Sequence, residues 1–375
     1  MQLQENNKPL ALNMTENQWI DWFKQVGENR FRAKQIFEWF YFKGEFNPQS
    51  FSNMSKELRQ KLADEFNWSV PTIDTMLPSE DNSEKFLLKL HDSRLAECVL
   101  MPSDNRVTLC VSSQIGCKMA CTFCQTGKMG FTRNLSMGEI LIQITLANKR
   151  LIERNILDRR VTNVVFMGMG EPLDNYDAVV AACKGMIDPK LFGLSKHKVT
   201  VSTSGLIPEI NRLGKDVPVA LAISLHTADD AERSKIMPVN RKYPLEELKQ
   251  ALLNYPVQTR HGITFEYVMI QGVNDSLVHA KKLVKFLHGL QAKVNLIPMN
   301  PHPGNSMVAT DIEQMRVFQK YLSERSIPAP VRYSRGQDVS AACGQLASKR
   351  KDEINLPPRT VALERRKEYL AREKK

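Results

Sequence analysis

The sequence predicts an α/β protein: a partial (β/α)6 barrel preceded by a small helical N-terminal accessory domain and a short β-hairpin extension. Three observations predict it. From about residue 105, the short β-branched runs VTLCVSS, VTNVVFMGM, KVTVSTS, VALAISLH, ITFEYVMI and KVNLIPM are separated, for the most part, by amphipathic stretches of helical period. That alternation is the pattern of parallel βαβ units, and six runs make an open barrel rather than a closed eight. Before about residue 70 the periodicity is helical only, and two short apolar runs lie between these regions. The expected division is therefore residues 1–70, 71–104 and 105–346, followed by a basic charged C-terminal tail at 347–375.

Taken in order, residues 14–66 read as three helices. TENQWIDWFKQV opens on Thr15 with Gln18 three residues later, a capping box. RAKQIFEWFYFKG is apolar on one face and stops at Gly44; SKELRQKLADEF follows Ser55. EKFLLKL and RLAECVLM, joined through His91-Asp92-Ser93, read as the hairpin. The helices expected between barrel strands are SMGEILIQITLANKRLI, with a second capping box at Ser136 and Glu139, then NYDAVVAACKGMI, IPEINRLG, PLEELKQALLNY and SLVHAKKLVKFLHGL. A further run, APVRYSR, comes late in the chain.

Composition narrows the function classes. A chain of 375 residues that is 42% hydrophobic supports a large core. No stretch approaches the ~20 apolar residues of a membrane span. The N-terminus lacks the charged start and apolar centre of a signal peptide. Seven cysteines in a chain this long do not suggest a secreted disulfide scaffold, and a reducing cytoplasm is expected. The formal net charge is +11, with a pI near 9.2, which suggests a polyanionic partner such as nucleic acid. Arg30, Arg32, Lys34 and Lys43 make the helical unit basic. From residue 346 onward ten Lys and Arg oppose five Asp and Glu.

The chemistry concentrates after the first barrel strand. Cys117, Cys121 and Cys124 read Cys-x-x-x-Cys-x-x-Cys and put three thiolates on one short loop. A closed structural metal site uses four protein ligands, whereas three thiolates on a four-iron cluster leave one iron open for chemistry. Phe123 can shield the loop. Three close cysteines also fit a zinc site completed by a distant ligand, so a zinc-stabilised, non-catalytic RNA-binding protein is an alternative.

Binding sites in parallel α/β folds lie at the C-terminal ends of strands. There the sequence places Gly170-Glu171-Pro172, then Ser202, Thr203 and Ser204, then Ser224-Leu225-His226, and finally Asn300. Each taken singly is a turn or capping residue; together they make a polar ring around one mouth. Cys110 lies inside the first barrel strand. Cys343 lies far along the chain among small residues, in Gly336-Gln337-Asp338-Val339-Ser340-Ala341-Ala342-Cys343-Gly344-Gln345-Leu346, a setting mobile enough to carry it to the mouth. Cys98 and Cys183 read as small buried hydrophobes.

With these motifs in hand, the chain resembles the RlmN family, radical S-adenosylmethionine dual-specificity 23S rRNA/tRNA adenine-2 methyltransferases; Cfr, which methylates carbon-8 of the same adenosine, is the close relative. The resemblance covers about residues 14–346, so the barrel would be a partial radical-SAM barrel. It implies a [4Fe–4S] cluster on Cys117, Cys121 and Cys124, and S-adenosylmethionine used twice per turnover. It implies that Gly170, Glu171, Ser202, Ser224, Leu225, His226 and Asn300 hold that cofactor. The first cofactor molecule would methylate Cys343, and the second would yield a 5′-deoxyadenosyl radical that takes hydrogen from this methyl group. The carbon radical would add to carbon-2 of adenine, Glu97 would remove the ring proton, and Cys110 would release the product by forming a disulfide with Cys343. The implied partners are 23S rRNA, tRNA and a one-electron donor such as flavodoxin, with no membrane, a monomeric state and a cytoplasmic location. Carbon-8 methylation would use the same residues and is the other alternative.

Overall fold

The computed structural model describes residues 8–154, 160–257, 262–302 and 304–347. Apart from Ala347, the basic tail expected at 347–375 lies outside the described residues.

Three helices form the N-terminal unit. α1 (Glu16–Gln25) opens with the expected capping box between Thr15 and Gln18. α2 (Arg32–Phe37) runs on into a π-helical turn at Glu38–Phe42, and the chain leaves it at Gly44, whose φ is +63°. α3 (Lys56–Glu65) is capped by Ser55, which accepts the N–H of Leu58. Helices of ten residues are marginal alone in water. Here aromatic packing holds them: Trp19 lies 4.7 Å from Phe66 and Trp39 stacks on Phe51 at 5.1 Å, ring centre to ring centre.

The unit docks on α5 (Met137–Glu153), which opens on the second expected capping box, Ser136 with Glu139. Lys149 Nζ donates to the Gly44 carbonyl at 2.6 Å and Thr145 Oγ1 to that of Tyr41 at 3.3 Å. A Cβ on Gly138 would stand 1.9 Å from the Leu12 carbonyl oxygen. Gly138→Ala is therefore expected to destabilise the protein by about 1–3 kcal/mol, the usual cost of overpacking. Thermal unfolding checks this; an unchanged midpoint would mean that the contact yields freely.

The hairpin is one strand larger than the sequence suggests: β1 (Thr72–Pro78) pairs antiparallel with β2 (Glu84–Lys89), which pairs with β3 (Leu95–Ser103). β3 continues into β4 (Arg106–Cys110), the first of six mutually parallel strands. The others are β7 (Asn163–Phe166), β8 (Val199–Thr203), β9 (Ala220–Ser224), β10 (Ile263–Met269) and β11 (Ala292–Pro298). Between β4 and β7, β5 (Gln114–Gly116) and β6 (Phe131–Asn134) form a separate two-stranded sheet. The large sheet has nine strands in the order β1-β2-β3-β4-β7-β8-β9-β10-β11. Sequence neighbours are spatial neighbours throughout, as successive βαβ units require. The sheet ends on β1 and β11, so it is open. APVRYSR contributes no full strand, only a bridge from Val331 to Leu296.

Helices α6 (Tyr176–Ile187), α7 (Ile207–Asp216), α9 (Leu245–Leu253) and α10 (Leu277–Leu287) match the periodic segments. α8 (Asp230–Ile236) and α11 (Ile312–Ser323) are additions that the alternation does not name. Successive strand residues face opposite sides of a sheet. Val201, Ile223 and Phe265 accordingly belong to the main core. Their neighbours Ser202, Ser224 and Glu266 face a cavity instead.

Candidate active site

The cavity, about 150 Å³, opens at the C-terminal ends of the parallel strands. Ten of the residues expected at the site line it: Cys117, Cys121 and Cys124; Gly170 and Glu171; Ser202, Ser224, His226 and Asn300; and Cys343. Glu97, Cys110 and Leu225 do not line it. The Leu225 side chain is buried in the core, while its N–H and carbonyl bond to the Glu266 carbonyl and to Arg233.

The cysteine loop is pinned at its start and along its length. Gly116 has φ +74°, and a Cβ there would meet the Gly130 carbonyl oxygen at 1.8 Å, so glycine is required where β5 approaches β6. Cys117 N–H donates to that same carbonyl at 2.9 Å. Thr122 N–H donates to the Ile236 carbonyl and Gln125 N–H to that of Gly344. The loop also carries the short helix α4 (Gln125–Lys128). Phe123 packs its ring edge-on against His226, centroids 4.6 Å apart. Burial pushes the Cys117 thiol up to about 12, with the neighbouring Glu171 and Cys124 charges adding to it. Cys121 and Cys124 are raised as well, again mainly by burial.

Thiols so placed hold their protons until a cation displaces them, which is the chemistry of a metal cluster site. Among the described residues, no three His, Cys, Asp or Glu side chains converge on one ion position. A cluster that gives each thiolate its own iron does not require that convergence. The donor set, three thiols on one loop at a cavity, fits the cluster.

The strand ends beside the loop fit a ligand with both polar and charged groups. Gly170 has φ +99°, and a Cβ there would stand 2.5 Å from Gln114 Cβ. Gln114 Oε1 accepts the N–H of Glu171 at 2.8 Å. The Glu171 carboxylate accepts the N–H groups of Leu173 (3.1 Å) and Ser204 (2.8 Å). Burial raises its pKa while these hydrogen bonds oppose the rise. The Thr203 and Ser204 hydroxyls also hydrogen-bond this carboxylate, so an ammonium group would share or displace one of these neutral donors. Ser204 also lies on the cavity wall, with its hydroxyl buried.

His226 sits in left-handed backbone (φ +60°), and its Nδ1 accepts the Val268 N–H at 3.0 Å. Burial, with a smaller push from Arg233, lowers its pKa to about 3, so the ring is neutral. Asn300 Nδ2 donates to Ser334 Oγ (2.8 Å) and to the Cys343 carbonyl (3.0 Å), tying the last strand end to the cysteine segment.

Cys343 is exposed at the cavity, and its segment is tied down around it. Thr126 Oγ1 donates to the Leu346 carbonyl at 2.7 Å and Gln345 Nε2 to the Pro301 carbonyl at 2.6 Å. The concave surroundings push the Cys343 thiol up to about 11, burial first and then the charges of Glu266 and Cys124. Cys110 is buried on β4 in a small apolar cluster with Ala341 and Leu346, beneath the Cys343 segment. Its thiol is held well above the usual range by burial and then by the Cys343 charge. All seven cysteines are free, so the expected disulfide finds no support. Glu97 is fully buried on β3, bound to Lys85 and to the Ala347 N–H.

Two side chains at this site escape the strand-end reading. Arg233, on α8, is fully buried and donates to the carbonyls of Ser204, Ser224 and Leu225 and to Asn240 Oδ1, knitting together the ends of β8 and β9. Nothing in the sequence marks this arginine. Glu266 has a signal: it is the one charged residue in ITFEYVMI, in a parallel strand that should be apolar on both faces. It lines the cavity and accepts from Asn295 Nδ2 at 2.9 Å.

Burial pushes Glu266 up to about 7, so it ionises across neutral pH, and its charge then opposes formation of the Cys343 thiolate. Removing that charge lowers the Cys343 pKa. Below that pKa the thiolate fraction rises tenfold per unit, so Glu266→Gln is expected to speed iodoacetamide alkylation of Cys343 at pH 8 by roughly threefold or more. Peptide mapping of the label checks this; an unchanged rate would contradict the electrostatic link.

The fold and site together define the class. The family model described as Radical SAM superfamily matches residues 111–284, and the one described as Ribosomal RNA large subunit methyltransferase N-terminal domain matches residues 11–67. A crystallised radical SAM methyltransferase from Sphaerobacter thermophilus is 40% identical with a TM-score of 0.84, covering 91% of this chain and 100% of that one. The Dual-specificity RNA methyltransferase RlmN of Bradyrhizobium diazoefficiens is 43% identical over 355 residues, 91% of this chain and 89% of that protein. The chain belongs to the RlmN family.

Proposed function

We propose that this protein methylates carbon-2 of an adenosine in 23S rRNA, and of the adenosine 3′ of the anticodon in tRNA, with Cys343 carrying the methyl group. The observation that carries this reading is that Cys343 shares one cavity with the three loop thiols and the polar strand ends, with Cys110 packed under its segment. The RlmN relative, named a dual-specificity RNA methyltransferase, supports the two RNA classes.

Cys117, Cys121 and Cys124 would hold the cluster; Gly170 and Glu171 would take the amino group of S-adenosylmethionine, and Ser202, Ser224, Leu225, His226 and Asn300 its remaining polar groups. When bound, the cluster and cofactor supply a methyl electrophile and, in a second use, one-electron chemistry. Carbon-2 of adenine is electron-poor and does not attack a sulfonium methyl group, whereas a thiolate does so readily. Cys343 as thiolate takes the methyl: the new bond to its sulfur forms as the sulfonium bond breaks. Glu97 then accepts the ring proton. Cys110 attacks the Cys343 sulfur: an S–S bond forms as the bond from that sulfur to the transferred carbon breaks, the electron pair leaves with the base, its carbon takes up a proton to become the methyl group, and a disulfide remains for external reduction.

Glu97 and Cys110 both lie under residues 341–347. A one-electron donor such as flavodoxin, a monomeric state and a cytoplasmic location complete the proposal. No helix among the described residues is long and apolar enough to cross a membrane. Arg30, Lys34 and Lys43 are exposed on the helical unit, as an RNA-contacting face requires.

The test is mass spectrometry of nucleosides from 23S rRNA and tRNA treated with the reconstituted enzyme. The expected product is 2-methyladenosine in both; 8-methyladenosine alone would overturn the assignment.

A further inference from the structure

Two buried charged side chains meet the Cys343 segment from beneath, and neither lines the cavity. Lys85 on β2 is 2% exposed, and its Nζ lies 3.3 Å from Oε1 of Glu97, which is 0% exposed. The same Nζ donates to the Ser340 carbonyl at 3.2 Å. Oε2 of Glu97 accepts the Ala347 N–H at 3.2 Å. One ion pair therefore grips the segment on both sides of its reactive thiol. Ser340 (φ +52°) and Gly344 (φ +82°) are both left-handed, so no regular backbone ladder carries this stretch and its anchors set its position. Cys98, beside Glu97 on the same strand, is a second titratable neighbour, but burial holds its thiol protonated. Among the described residues, Lys85 is the cation paired with Glu97.

We propose that Lys85 is a positioning residue that keeps Glu97 ionised and registers the Cys343 segment against it, so that proton acceptance by Glu97 loosens the grip on Ala347. The inference rests on Glu97 as proton acceptor and Cys343 as carrier. When the ring proton moves to Glu97, the C–H bond breaks, an O–H bond forms, and the electron pair stays with the RNA. A neutral carboxyl group accepts a weaker hydrogen bond than a carboxylate and no longer attracts Lys85. The C-terminal side of the segment is then released, while Lys85 still holds Ser340.

The experiment uses the full chain with its cluster reconstituted and an RNA transcript, and follows three readouts. They are iron content, methyl occupancy of Cys343 by peptide mass, and decay of the covalent protein–RNA adduct against pH. In Lys85→Met, iron and Cys343 loading are expected to persist, and the pH of half-maximal adduct decay to rise by about one unit, so that decay slows by up to about tenfold at pH values below the unsubstituted protein's midpoint. The sign follows because losing the cation raises the Glu97 pKa, so its carboxylate form is lost at a higher pH. Lys85→Arg should restore the midpoint, which a purely structural defect would not do. Normal decay in Glu97→Gln would remove the proton-acceptor reading itself. Slow decay in Glu97→Gln with an unshifted midpoint in Lys85→Met would overturn the Lys85 inference alone.

Lys85→Met strands a buried carboxylate and can fail to fold, so the neutral double variant Lys85→Met/Glu97→Gln is the second probe. Its decay should equal that of Glu97→Gln; a further slowing of about tenfold would show that Lys85 acts independently and contradict the proposal.

Discussion

Cys343→Ala removes RNA methylation while the iron content of the protein stays unchanged. The drop should be on the order of 10⁴-fold or more, as for other enzymes that lose a covalent nucleophile. The selectivity follows from position. Cys343 lies more than two hundred residues beyond the cysteine loop in sequence, and its side chain is exposed at the cavity. The contacts that seat its segment do not use the Cys343 sulfur: they are made by the carbonyls of Ser340, Cys343, Gly344 and Leu346, the Gln345 side chain and the Ala347 N–H. Losing one exposed sulfur leaves all of them in place. Comparison of methylation with iron content checks this, and a variant that still turns over would remove the carrier role.

Cys110→Ala has the opposite signature: chemistry begins but does not finish. Cys110 is the thiol packed against Ala341 and Leu346, and the charge of Cys343 acts on it directly. Without it nothing resolves the bond between Cys343 and the base, so protein covalently joined to RNA should accumulate toward one equivalent per enzyme. Denaturing gels of labelled RNA show this adduct. Product formation at the normal rate, with no adduct, would exclude Cys110 from the reaction. High burial makes Cys110 a poor nucleophile in the closed arrangement, because desolvation disfavours its thiolate. Displacement of the overlying segment would hydrate it, which orders the steps: addition to the base first, resolution afterwards.

Much of the architecture is legible in the chain because its signals are local. Both capping boxes, at Thr15 and Ser136, form as read. The six parallel strands follow from alternation of strand and helix periods. What escapes is what depends on long-range packing. TIDTMLP, at β1, carries Asp74 and ends on Pro78, residue types that strands disfavour, and becomes a strand because β2 offers it an edge. APVRYSR gains only a bridge: Val294 and Leu296 donate to the Pro328 and Pro330 carbonyls and Arg332 donates to Leu296, but the two prolines lack the N–H that a ladder needs.

The site divides in the same way. The cysteines, Gly170-Glu171 and the strand-end hydroxyls stand out by type and spacing, and they converge on one cavity. Leu225 is a core side chain that offers only backbone near that ring. Arg233 becomes visible only once its three carbonyl partners come together. Lys85 reads in sequence as an alternating hairpin lysine; only the fold shows it buried against Glu97.

Mössbauer spectroscopy of anaerobically reconstituted protein tests the central claim most directly. The account predicts four irons per chain in a cubane, with one iron changing its spectrum when S-adenosylmethionine is added, because three loop thiolates leave that iron open. A colourless protein holding a single tetrahedral zinc, with no iron signal after reconstitution, would contradict it.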